Sequence, residues 1–186
     1  MGTSGRLWMI CGRQGVYPEH GMRRERTGMT LISTRNADAI ELLALNEDTI
    51  GRLYEAYAER FPEAIEFWQG LARQEQAHAA LIRRFGRETD ASAVFKAERF
   101  RSAAIRLSTR HTEGEIAAAR APGLKTINAL SIANAIEQSL IESRFFEVFE
   151  TDSAELKTLF QKLMEDSRDH ARVVLARLNA YRSLPR

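Results

Sequence analysis

Residues 71–82 read LARQEQAHAALI, an apolar helical seam into which Glu75 and His78 are set three residues apart. Side chains at i and i+3 share a face of an α-helix. Here that face continues in both directions through Ala64, Trp68, Leu71, Glu75, His78, Ile82 and Phe85, at alternating steps of three and four. The spacing predicts a helix that starts at Pro62, a residue suited to a first turn, and ends at a Gly86 C-cap. A carboxylate and an imidazole in the middle of such a stripe need a physical reason to be there.

The same interruption recurs in three other segments. A helix from the N-cap Asn36 to Phe61, stopped by Pro62, would turn Ile40, Leu43, Glu47, Ile50, Tyr54, Tyr57 and Phe61 inward. A third, from Thr126 to Glu150, would bury Leu130, Ala133, Glu137, Leu140, Ile141, Phe145 and Val148. A fourth, opening after Asp152 or Ser153, would bury Leu156, Phe160, Leu163, Ser167, His170, Val174, Leu178 and Tyr181. The stretch from Arg87 to Lys125 is too long for a turn and is expected to hold short helices. One would start at Thr112, where Thr-x-x-Glu to Glu115 resembles a capping box, and stop at Pro122-Gly123. These segments predict an all-α protein, an antiparallel four-helix bundle of two hairpins joined by a long, partly helical crossover.

Composition limits what else the chain does. Its 186 residues, 44% of them apolar, suit one buried core, here placed in residues 33–186. Residues 1–32 carry six of the eleven glycines and no sustained periodicity, and read as a disordered basic tail. With Cys11 the sole cysteine, a disulfide framework and a four-cysteine metal site are both excluded, and a cytoplasmic location is the default expectation. No apolar run approaches the ~18 residues that span a bilayer, so no membrane partner is expected. The first 36 residues hold six Arg and two Glu, so the net charge of +2 comes from the leader and not from a folded face. Nucleic acid is therefore not an expected partner.

The four interruptions fall at one height. Glu47 lies 14 residues before Phe61 and Glu75 lies 13 after Pro62, while Glu137 precedes Thr151 by 14 and Ser167 follows it by 16. At about 1.5 Å rise per residue these positions share one layer of the bundle. Three glutamates in a dry layer require protons, Arg partners or a cation, because buried unpaired carboxylates are costly and repel one another. Arg144, two turns from Glu137, is the one candidate Arg partner. A divalent ion satisfies all of them at once, and a mixed Glu and imidazole set suits iron, manganese or zinc.

The order of these residues resembles the ferritin-like di-iron carboxylate bundles, and within them the rubrerythrin-like branch. The strings LALNEDTIGRLYEAYAERFP, LARQEQAHAALI and AIEQSLIESRFFEVFE carry the resemblance, which covers about Ala37 to Tyr181. It implies two iron ions acting on peroxide or dioxygen. Glu47 and Glu137 would be terminal ligands, Glu75 a bridge, and His78 and His170 the imidazole ligands. Tyr54, on the Glu47 face, would orient a ligand or quench a radical. The family has a second Glu-x-x-His on the fourth helix, where this chain has Ser167-Arg168-Asp169-His170. Ser167, holding a water, and Asp166, four residues before His170, are the stand-ins at that place. The four-cysteine iron site of true rubrerythrins is absent, so electrons would come from a separate donor. Iron storage or delivery, and a metal-free scaffold with a degenerate site, are the competing functions. His20 and His111 read as exposed imidazoles, and Trp68, Phe145, Phe146 and Phe149 as filling the core or an oligomer interface such as that of a homodimer.

Overall fold

A computed structural model describes residues 22–88, 102–142 and 154–183, and the side chains of all of these except 22–37, 142, 155 and 156. The elements are α1 (Met22–Arg60), a 3-10 turn (Pro62–Ala64), α2 (Ile65–Glu88), α3 (Ser102–Arg120), α4 (Thr126–Glu142) and α5 (Ala154–Arg182), with no strand among the described residues. The all-α expectation is met. Also among the described residues, no helix is long and apolar enough to cross a membrane.

The α1–α2 turn follows the sequence closely. Phe61 leaves helical geometry ahead of Pro62, and Pro62 opens the next turn without needing an amide donor. From there the two helices run antiparallel, with Gly51 beside Ala72 and Glu75, and Gly86 beside Ile40. Arg83 on α2 ties their outer edges, donating to Glu41 at 2.8 Å and to Asp48 at 2.5 Å. α3 packs along another side of α1, and α4 packs against α5. The buried interior is continuous across all five helices, from Leu43, Ile50 and Leu53 on α1 through Trp68 and Ile82 to Ile105, Leu130, Leu140, Leu163 and Val174. Full burial of such a side chain contributes about 1.5–3 kcal/mol, which makes this seam the main source of stability.

Four boundary expectations are corrected. α1 begins at Met22 instead of near Asn36, so residues 22–32 are helical and not part of a disordered leader. That stretch holds three Arg and two Met and no proline, so no proline breaks the helix upstream of Asn36. Thr112 starts no helix. It lies within α3, buried, and its hydroxyl donates back to the Ser108 carbonyl at 3.0 Å. Ile105, Thr109, Thr112, Ile116 and Ala119 form one buried stripe, so packing decided the element and not the local cap. Pro122-Gly123 does end it, with Gly123 at φ 102°. Gly86 is no C-cap, because α2 continues to Glu88. Tyr181, expected in the core, is 40% exposed in the last turn of α5. The tail expectation for residues 1–21, together with Phe145, Val148 and Arg144, lies outside the described residues.

The glycine at 86 has a packing role. A Cβ there would stand 2.7 Å from Cγ2 of Ile40, a branch fixed to a stiff β-branched side chain. Gly86→Ala should therefore cost about 1–3 kcal/mol from overpacking, against a gain near 1 kcal/mol in helix propensity. Urea unfolding should show net destabilisation that disappears in an Ile40→Ala background.

Candidate metal centre

Each sequence-predicted ligand is buried: Glu47 and Glu75 at 1% exposure, Glu137 at 0%, His170 at 2% and His78 at 5%. They come from α1, α2, α4 and α5 and meet in one cluster. Glu75 is its hub, with Oε2 3.0 Å from Nδ1 of His78 and Oε1 2.6 Å from Nδ1 of His170. Glu47 Oε2 stands 3.9 Å from Nδ1 of His78, and Glu137 Oε1 stands 3.7 Å from Nδ1 of His170. The donor atoms fall into two groups able to surround an ion, Glu47–Glu75–His78 and Glu75–Glu137–His170, which share Glu75.

Both imidazoles present Nδ1 to this centre and Nε2 to an acceptor outside it. Nε2 of His78 lies 3.1 Å from Asp166 Oδ2, and Nε2 of His170 lies 2.9 Å from Gln74 Oε1. An ionised carboxylate only accepts, so His78 carries its hydrogen on Nε2 and its neutral form has a lone pair on Nδ1 aimed at Glu75. That lone pair faces carboxylate oxygens, an arrangement that needs either a proton or a cation between them. The rings of His78 and His170 stack with centroids 5.6 Å apart, so the two groups lie side by side.

Several of these atoms have no hydrogen-bond partner. Among the described residues, five of the nine buried orphan side-chain atoms belong to the cluster: both oxygens of Glu47, Glu75 Oε1, Glu137 Oε2 and His170 Nδ1. The 2.6 Å approach of His170 to Glu75 lacks the alignment of a hydrogen bond, so both atoms count among the orphans. Unpaired buried polar atoms each cost of order 1–3 kcal/mol, so their concentration at one place fits a set of donors for a cation better than a packing accident.

Electrostatics tells the same story for the metal-free protein. Burial pushes the Glu47 carboxyl up to about 8, aided by Glu75 and opposed by His78. Burial also raises Glu137 well above the usual carboxylate range, with Glu75 adding to it. At Glu75 burial acts upward, but His170 and His78 outweigh it and hold the group down at about 2. Burial lowers His78, yet Glu47 and Glu75 overcome this and lift it to about 10. Metal-free, the cluster therefore holds protons at neutral pH that an ion would displace.

The remaining candidates take supporting positions. The Tyr54 hydroxyl donates to Glu137 Oε1 at 2.6 Å and so holds that carboxylate in place. Asp166, read as a stand-in for the missing carboxylate, supports a histidine from outside the cluster. It lies behind His78 and also accepts from Lys162 at 2.6 Å. Ser167 is buried but turns its hydroxyl back to the Leu163 carbonyl at 3.0 Å, so its one proton serves its own helix. Gln74 was missed in the sequence because it is exposed and lies off the seam. The available signal was its place one residue before Glu75, matching Asp166 one before Ser167. His111 lines a surface groove of about 500 Å³ between α3 and α4 that includes none of the five cluster residues.

Asp166 fixes the tautomer of His78, and partners of this kind are worth 10–100-fold in metal affinity. Asp166→Ala should weaken the ion at Glu47–Glu75–His78 by roughly tenfold or more and leave the other largely unchanged, read by competition with a chromogenic chelator.

Comparison with protein-family models, with curated proteins and with solved structures finds no match for this chain.

Proposed function

We propose that this chain is a ferritin-like, rubrerythrin-like four-helix di-iron protein that acts as an oxidoreductase on peroxide or dioxygen. The observation that supports this reading is the pair of buried ligand groups sharing Glu75, five of whose side-chain atoms lack a hydrogen-bond partner. Each group offers two carboxylates and one imidazole, a donor set that suits iron and also accommodates manganese or zinc.

Two neighbouring iron ions, when bound, supply electrons to the O–O bond of peroxide or dioxygen. The chain's own residues set the conditions. Glu75 would serve both ions, Glu47 and Glu137 would each serve one, and Tyr54 fixes Glu137 through its hydroxyl. Asp166 and Gln74 keep the histidine hydrogens on Nε2, which leaves Nδ1 free to bind. Ile50, Leu130, Leu140 and Leu163, all essentially unexposed, contribute to a dry core around the layer. With Cys11 the only cysteine, reducing equivalents come from a separate donor.

Protein purified without chelators should hold two iron ions per chain, one for each ligand group. Its ferrous form should consume hydrogen peroxide stoichiometrically, followed by the loss of peroxide and the appearance of ferric absorption. Iron uptake without peroxide consumption would favour storage or delivery. No uptake at all would leave a proton-filled scaffold.

A further inference from the structure

The two histidine motifs match in spacing, and each helix serves the histidine of the other. On α2, Gln74 precedes Glu75 and accepts from His170; on α5, Asp166 precedes Ser167 and accepts from His78. His78 follows Glu75 by three residues and His170 follows Ser167 by three. Ser167 is therefore the counterpart of Glu75, the residue that reaches both histidines. At that place α5 supplies no charge, and the Ser167 hydroxyl is committed to Leu163.

The deficit can be counted. Two divalent ions bring four positive charges, and Glu47, Glu75 and Glu137 bring three negative ones. Asp166 does not make up the difference, since Lys162 stands 2.6 Å from it. One uncompensated positive charge in a dry layer is expensive. Three protein ligands per ion also leave coordination positions open. Relative to glutamate, serine ends one atom past Cβ, so the missing piece is a single carboxylate group.

Building on the function proposed above, we infer that the Ser167 position is a binding site for a small external carboxylate, of formate or acetate size. That carboxylate takes the place opposite Glu75 and completes the charge of the two-ion centre. Access is short. Gln74 is exposed and the Asp166 side chain is 27% exposed, so the acceptors bonded to both histidines themselves reach solvent.

The test uses the full chain loaded with cobalt(II), titrated with formate, acetate and butyrate, and read by the visible absorption of the bound cobalt. Formate and acetate should change that spectrum saturably and slow cobalt loss to a chelator by roughly tenfold, while butyrate should do neither. Ser167→Ala should behave as the wild type, since its hydroxyl serves only its own helix. Ser167→Glu should bind two cobalt ions and ignore formate, because it carries the carboxylate itself. If Ser167→Glu does not fold, the size series on the wild type and Ser167→Ala decides the matter. A wild-type protein that holds two cobalt ions and ignores all three acids overturns this site and leaves the metal centre standing. So does a Ser167→Glu protein that responds to formate as the wild type does. A wild type that takes up no cobalt overturns both.

Discussion

Replacing Glu75 with alanine should abolish binding of both ions, whereas Glu47→Ala and Glu137→Ala should each remove one. The asymmetry follows from Glu75 belonging to both ligand groups while the other two carboxylates belong to one each. Outer partners of metal ligands are worth 10–100-fold, so loss of a shared ligand should exceed about 100-fold in affinity for each ion. The same variant has a metal-free signature. Glu75 is the counter-charge of His78, and removing one member of a buried charged set typically costs about 3–5 kcal/mol. Urea unfolding in the presence of a chelator should report that loss. An equally stable Glu75→Ala protein would mean that His78 is neutral and the hub carries no charge.

The second large effect is a reversal of pH dependence when metal is added. In the metal-free protein Glu47 keeps its proton up to about 8, while an unfolded glutamate loses it near 4.3. Unfolding therefore releases a proton across this window, and stability falls as pH rises through it. His78 acts in the same direction at higher pH. Its folded value of about 10 exceeds an unfolded value near 6.5, so its contribution is complete below 6.5 and lost as pH climbs towards 10. Glu75 works at the acid end. Held at about 2, it stabilises above its unfolded value and loses that contribution as pH falls towards 2. Metal binding requires Glu47 and Glu137 ionised and Nδ1 of both histidines free of protons, so it expels protons and strengthens with pH. At metal concentrations 100 times Kd each ion adds about 2.7 kcal/mol, or roughly 5–10 °C in Tm for a chain of this size. Thermal unfolding from pH 6 to 9 should show the metal-free Tm falling while the metal-induced increment grows. Parallel curves would mean that the ion does not compete with these protons.

The part of this account legible in the sequence was the part governed by helical periodicity. A three-four count placed Glu47, Glu75, His78, Glu137, Ser167 and His170 inside, and all six are buried. The Phe61-Pro62 turn and the Pro122-Gly123 stop were legible too, because proline and glycine restrict the backbone locally. What escaped was set by neighbours in space. Thr112 looked like a cap but is buried on the α3 stripe, and Gly86 looked like a helix end but makes room for Ile40. Asp166 was read as a stand-in for the carboxylate missing at Ser167, but its contact with His78 was not legible, since a helical angle locates a side chain on its own helix and not across the seam. Gln74 lies on an exposed flank, where burial patterns carry no information.

Anomalous diffraction from crystals of the metal-loaded full chain would locate the ions. Two peaks should flank the Glu75 carboxylate, one within ligand distance of Glu47 and Nδ1 of His78, the other of Glu137 and Nδ1 of His170. No peak in the bundle interior, or peaks confined to surface acidic side chains, would contradict this two-ion centre.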